Sequence, residues 1–271
     1  MIISVDTGGT KTLVGRFSTR GGLQDSIKFP TPLDQADYLT KLHEAIRSLA
    51  KDQTIKCITV ALPGRIRDGV MHTVGTVKWD NFDVRPLLQD AFLCPILVEN
   101  DANLAAIAEI RSLPTLPHIG MYVTVSTGIG TGLVIDGILH QPLSESEGGQ
   151  IILEHDGVLR EWEDFASGRA ITKKYGKYAA DITNVRHWQA IAKNIARGLV
   201  VIAPLLRPEA IVIGGSIGTH FAHYSEYLQQ YLKEQLHPDN VPLLFQAKHP
   251  EEAVIYGCYH YAHDFLADRT T

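Results

Sequence analysis

Apolar residues along this chain fall into short runs separated by polar, glycine-rich turns. Ile2-Ile3-Ser4-Val5, the turn Asp6-Thr7-Gly8-Gly9-Thr10-Lys11 and the run Thr12–Phe17 predict a hairpin, and Gly21-Gly22 marks the next turn. Between Asp34 and Lys51, Leu39, Leu42, Ile46 and Leu49 recur at helical spacing. Ile58–Leu62 predicts a short buried strand ending at Pro63-Gly64. Ile96-Leu97-Val98 predicts another, followed by the polar turn Glu99-Asn100-Asp101-Ala102-Asn103 and an alanine-rich helix over Leu104–Ile110.

The second half opens as the first does. Met121–Val125 reads as a strand, Ser126-Thr127-Gly128-Ile129-Gly130-Thr131 as a turn, and Gly132–Ile135 as a strand. This parallel suggests a duplicated unit, with Arg111–Pro117 as the candidate connection. Further on, the pattern predicts a long helix over Ala190–Leu206, a strand at Ala210–Ile213 running into Gly214-Gly215-Ser216, and a last helix over Ala253–Ala267 that returns to the first half.

At 271 residues, with 45% apolar and 20% charged side chains, the chain can bury a full core or two lobes. A net charge of −5 lacks the basic footprint of a nucleic-acid binder. No apolar stretch reaches the roughly 18 residues of a membrane span. The first strand starts at Ile2, leaving no room for a signal peptide, so a cytoplasmic location is expected. Cys57, Cys94 and Cys258 are distant and odd in number, which argues against a disulfide framework.

Chemistry concentrates in the two Gly/Thr turns. Glycine lets a backbone approach a phosphate closely, and successive N–H groups form an anion-binding concavity. Asp6 is suited to hold a phosphate-bound Mg²⁺ through water. Gly9-Thr10-Lys11-Thr12 matches only the end of a Walker A loop and leads into a strand, so a P-loop is excluded. No G-x-G-x-x-G follows a strand and opens a helix, which excludes a dinucleotide fold. Asp101 has two readings from its position: a carboxylate at a rigid strand end, fit to act as a base, or a helix cap, a duty Asn100 or Asn103 could equally take.

In order along the chain, Asp6–Lys11, Ala61-Leu62-Pro63-Gly64, Glu99–Asn103, Ser126–Gly130, Glu163–Ile171 and Pro208–Gly215 resemble the successive motifs of the ROK family of sugar kinases and sugar-responsive repressors. The resemblance covers nearly the whole chain. It implies an α/β fold of two actin-like (ribonuclease H-like) lobes, with mixed β-sheets flanked by helices and an active-site cleft between them. Residues 1–112 plus about 253–271 would form the N-terminal lobe and 113–252 the C-terminal lobe. It further implies ATP and Mg²⁺ as cofactors and a hexose or N-acetylhexosamine as the phosphate acceptor.

On that resemblance, Asp6, Gly8, Gly9, Thr10 and Lys11, with Ser126, Thr127, Gly128 and Gly130, would flank the ATP phosphates. Gly214, Gly215 and Ser216 would lie against the adenosine. Gly64, Arg65, Asn100, Asp101, Glu147, Gln150 and Glu163 would face the sugar, and Asp101 would be the catalytic base. A homodimer is expected at family level, with no nucleic-acid or membrane partner. The family's repressors carry an added DNA-binding segment before the first phosphate motif, whereas Asp6 follows only five residues here; a non-catalytic sugar-sensing or interaction protein derived from such a kinase is the alternative reading.

The chain departs from the family at one place. Ser146-Glu147-Gly148-Gly149-Gln150 corresponds to a G-E-x-G-H segment, with Gln150 where a zinc-binding histidine is expected. No cysteine follows between Ile151 and Trp162, so structural zinc is not expected. The loop is then expected to be held by packing of Ile151, Ile152, Leu153, Val158, Leu159 and Trp162.

Overall fold

The computed structural model describes residues 1–72, 77, 79, 81–250 and 252–269; the expected lobe ranges include a few positions, among them 270–271, that lie outside these. The chain divides into two compact units, Met1–Ala108 with Glu252–Thr271, and Glu109–Glu251.

The first unit contains β1 (Ile2–Thr7), β2 (Lys11–Phe17), β3 (Leu23–Pro30), α1 (Gln35–Ala50), β4 (Cys57–Leu62), β5 (Arg65–Arg67), β6 (Val70–His72), α2 (Arg85–Phe92) and β7 (Ile96–Asn100). The start of α3 (Asp101–Arg111) and α9 (Ala253–Asp268) also belong to it. Its main sheet runs β3-β2-β1-β4-β7, antiparallel from β3 to β1 and parallel from β1 through β4 to β7. β1 and β4 are buried on both faces, hence their near-continuous apolar sequences. Helix α1 is capped by Asp34, whose carboxylate accepts the Ala36 and Asp37 N–H groups, and it lays Leu42, Ile46 and Leu49 on the core. Helix α9 packs on β1 and β4 through Ile255, Tyr259 and Ala262.

The second unit repeats the plan. It contains β8 (Ile119–Val125), β9 (Ile129–Ile135), β10 (Ile138–Leu139), β11 (Ile152–His155), β12 (Val158–Glu161), α4 (Trp162–Ala166), α5 (Gly168–Tyr175), α6 (Val185–Leu206), β13 (Ala210–Gly214), α7 (Gly215–Gly218), α8 (Ser225–Gln235) and β14 (Leu243–Gln246). Its main sheet runs β10-β9-β8-β13-β14, with the same order and directions as the first. The duplication read from the two Gly/Thr turns is therefore a duplication of sheet topology.

Helix α6 is longer than its apolar pattern predicts, because Asn184 caps it and starts it at Val185. An 18-residue window within it reaches a mean hydropathy of 1.3, long and apolar enough to cross a membrane by length and composition alone, although polar and charged residues interrupt it. That hydrophobicity has a use inside the unit: Trp188, Ile191, Ile195, Leu199 and Ile202 are core residues.

The cysteine-free segment forms the β11–β12 hairpin. Only part of the expected packing occurs. Trp162 is fully buried, and Ile151 and Leu153 rest on the core, whereas Ile152, Val158 and Leu159 are exposed. Polar and aromatic contacts hold the hairpin as well. The His155 ring stacks on Phe165 at 4.2 Å between centroids, and Arg197 lies over the Phe165 ring while pairing with Glu154 at 3.6 Å.

Candidate functional site

In the first unit, β1, β4 and β7 are adjacent and parallel, so their C-terminal ends bring Asp6, Gly64, Asn100 and Asp101 to one edge of the sheet. Asp6 sits near the end of β1, and Gly8-Gly9-Thr10 turn the chain into β2, closed by a 2.9 Å bond from the Gly8 N–H to the Lys11 carbonyl. Asn100 ends β7 and does two things. Its Nδ2 donates to the Gly64 carbonyl at 2.9 Å, and its Oδ1 accepts the Ala102 and Asn103 N–H groups at 2.8 and 3.2 Å.

Asn100 is therefore the cap, and helix α3 starts at Asp101, three residues before the alanine-rich run. Asp101 shares the Ala102 N–H through Oδ1 at 2.8 Å. Buried Glu99 completes the turn: its Oε1 accepts the Asn100 N–H at 2.8 Å and the Asn103 side-chain amide at 3.0 Å. Arg65, at the start of β5, and Lys11, at the start of β2, are exposed.

Asp6 feels the charge of Asp101. Burial, reinforced by the charge of Asp101 and opposed by Lys28, pushes the Asp6 carboxyl up to about 7. Burial also raises Asp101, against the pull of the Ala102 N–H. A raised carboxyl is a stronger base than a solvated one, and two such groups at the ends of β1 and β7, on either side of β4, form a place where cations or protons are welcome.

In the second unit, β8 and β13 are adjacent and parallel, with Thr124 opposite Gly214. Their ends bring the Ser126–Gly128 turn beside Gly215 and Ser216, and the Ser126 and Ser216 hydroxyls stand 3.5 Å apart. The turn is tighter than its sequence suggests. Strand β9 begins at Ile129, so Gly130 and Thr131 are strand residues, and the Ser126 N–H donates to the Gly128 carbonyl at 2.9 Å.

Glu147 precedes a 3₁₀ turn at Gly148–Gln150 that lies on β9. Here the Gly148 N–H donates to Thr131 Oγ1 at 2.9 Å, and a Cβ at Gly149 would run into the Ile129 carbonyl, so only glycine allows the approach. Gln150, the residue that departs from the family pattern, is exposed. Glu163, on α4, accepts the Ile129 N–H through Oε2 at 3.0 Å and pairs with Arg169 at 3.5 Å. Among the described residues, no group of three or more His, Cys, Asp or Glu could hold a metal ion.

Thr31 escapes the sequence reading altogether. Its hydroxyl donates to the Gly8 carbonyl at 2.8 Å and lies 2.9 Å from Thr12 Oγ1, while its N–H donates to the Thr10 carbonyl at 3.0 Å. The first Gly/Thr turn is thus fixed from the end of β3. Glu99 lies inside a motif that the sequence singles out, but its role follows only from its burial.

The ROK family model matches residues 2–264. An N-acetylmannosamine kinase of Citrobacter koseri is 27% identical, over 97% of this chain and 94% of its own length. A glucokinase of Streptomyces coelicolor is 24% identical, over 80% of this chain and 82% of its own length. Among solved structures, a ROK family glucokinase from Streptomyces griseus in complex with glucose and AMPPNP is similar with a TM-score of 0.80 at 21% identity, covering 97% of this chain and 99% of its own. The α/β fold is accordingly the actin-like one, with mixed sheets flanked by helices.

Proposed function

We infer that the chain, which belongs to the ROK family, is an enzyme that phosphorylates a sugar with ATP. A hexose or N-acetylhexosamine is the acceptor class, in keeping with the glucokinase and N-acetylmannosamine kinase relatives. Asp101 takes the proton of the attacking hydroxyl. The observation that carries this reading is the Asp101 environment: a carboxyl raised by burial, at the start of a helix whose capping is done by Asn100. Phosphoryl transfer asks the protein mainly for an aligned nucleophile and for compensation of charge on the transferred group.

The Gly8–Lys11 and Ser126–Gly128 turns are proposed to offer N–H and hydroxyl donors to the phosphates, and Gly214–Ser216 to lie against the adenosine. Asn100, Asp101, Gly64, Arg65, Glu147 and Gln150 are proposed to face the sugar. The Asp6 carboxyl, destabilised by burial and by Asp101, fits a site that welcomes Mg²⁺; with no third metal-ligating group beside it among the described residues, the ion would be held through water and nucleotide phosphates. Mg²⁺ supplies neutralisation of phosphate charge when bound.

The test is an ADP-release assay across hexoses, N-acetylhexosamines, pentoses and polyols, with the parent and Asp101→Asn. Asp101→Asn should lower kcat by about 10²–10⁴ while still binding sugar, the range for losing a general base. A variant that turns over as fast as the parent overturns the assignment.

A further inference from the structure

The residues on either side of Asp101 close a ring of hydrogen bonds around it. The Asn100 N–H donates to Glu99 Oε1 at 2.8 Å, and the same oxygen accepts the Asn103 side-chain amide at 3.0 Å. The Asn103 N–H in turn donates to Asn100 Oδ1 at 3.2 Å. Glu99, Asn100 and Asn103 are thus each tied to the other two, and Asp101 and Ala102 are the stretch they enclose. Glu99 and Asn103 are only 3% and 2% exposed, so these bonds form away from competing water.

Glu99 does what Asn100 cannot do for itself. Both ends of the Asn100 side chain are committed, Nδ2 to the Gly64 carbonyl and Oδ1 to the start of α3. Its N–H is left to Glu99, which stands opposite Ala61 in the β4–β7 ladder and so carries the rigidity of the sheet. Through the Asn103 amide, the same oxygen fixes the first turn of α3 against the strand end. Asp101 lies on the junction between these two anchored pieces.

We propose that Glu99 is a positioning residue for Asn100 and Asp101: by holding the Asn100 N–H and the Asn103 amide on one oxygen, it sets where strand passes into helix and so where the Asp101 carboxylate stands. This rests on the kinase reading, in which Asp101 takes the hydroxyl proton and Asn100 faces the sugar. Glu99 acts through those two and needs only an acceptor oxygen for it. A displacement of about 1 Å at a reacting group costs on the order of 10²-fold in rate, so loosening this ring should be visible in turnover.

Three variants, with calorimetry against AMPPNP and Mg²⁺ to count binding-competent molecules, test this. Glu99→Gln keeps Oε1, Glu99→Ala removes it, and Asn103→Leu removes the amide while leaving Glu99 in place. Glu99→Ala and Asn103→Leu should lower kcat per AMPPNP-binding molecule by about 10–100-fold and raise the sugar KM. Their AMPPNP affinity should stay within about 3-fold of the parent, and Glu99→Gln should keep kcat within about 5-fold. The double variant Glu99→Ala with Asn103→Leu should be no slower than the slower single, because both break one ring. A purely structural part would reduce the binding-competent fraction and leave kcat per such molecule at the parent value; that result overturns the proposal. Glu99→Gln as slow as Glu99→Ala would assign the need to the charge or to a proton on Glu99, and overturns it too. So does Asn103→Leu at the parent kcat, even if Glu99→Ala fails to fold. A parent that phosphorylates none of the sugars would overturn the kinase reading and this proposal with it.

Discussion

Replacing Asp6 by Asn should stabilise the ligand-free protein, and increasingly so as pH rises. The Asp6 carboxyl ordinarily titrates near 3.8 and is pushed up to about 7 by burial and by Asp101. The folded state therefore holds the proton more tightly than the unfolded chain. Below pH 3.8 the group costs nothing. Between that value and about 7 the unfolded chain ionises while the folded one resists, so stability is lost, and above pH 7 the loss is complete. Three pKa units correspond to about 4 kcal/mol. Asn keeps the shape and cannot ionise, so it removes the whole dependence. Denaturant unfolding of ligand-free parent and Asp6→Asn at pH 5 and pH 8 checks this: the advantage of Asn should be roughly 2–3 kcal/mol larger at pH 8. Adding Asp101→Asn to both proteins should shrink that difference, since Asp101 is one of its causes. An advantage equal at the two pH values, or larger at pH 5, would refute the reasoning.

Two other outcomes are expected. Thr31→Val leaves the Gly8 carbonyl without its hydroxyl donor at nearly constant volume, and should destabilise by about 1–3 kcal/mol and weaken AMPPNP binding while sparing sugar binding, as read by calorimetry. Elemental analysis of the purified protein should find no stoichiometric zinc, because the β11–β12 hairpin is held by the His155–Phe165 stack and the Arg197–Glu154 pair; one zinc per chain would show that something else anchors it.

Local signals were readable wherever neighbours in sequence decide the structure. Asp34 and the Leu42, Ile46 and Leu49 spacing define α1 from within the helix. The two hairpins announce themselves by apolar runs about glycine turns, and the shared plan of the two sheets follows from them. Errors arise where a cap or a register decides. Asn100 advances the start of α3, and Asn184 that of α6, because a side-chain acceptor can begin a helix before its apolar pattern does. Val158 and Leu159 could not both pack inward, since successive residues of a strand face opposite ways, and both are exposed.

The long-range hydrogen bonds were hidden for a different reason. Thr31 reaches Gly8 across 23 positions and Glu163 reaches Ile129 across 34, and neither bond leaves a mark in either segment alone. A threonine after a strand and a glutamate in the first turn of a helix are commonplace. Only the folded register gives them a target.

The repeated sheet has an evolutionary corollary. Its two copies keep one architecture but secure their turns differently, one with the neutral hydroxyl of Thr31 and the other with the carboxylate of Glu163. Each fastening is confined to its own half and shares no atom with the other. A lineage can therefore retune one grip by point mutation while inheriting the other unchanged, which makes the duplicated scaffold a modular one.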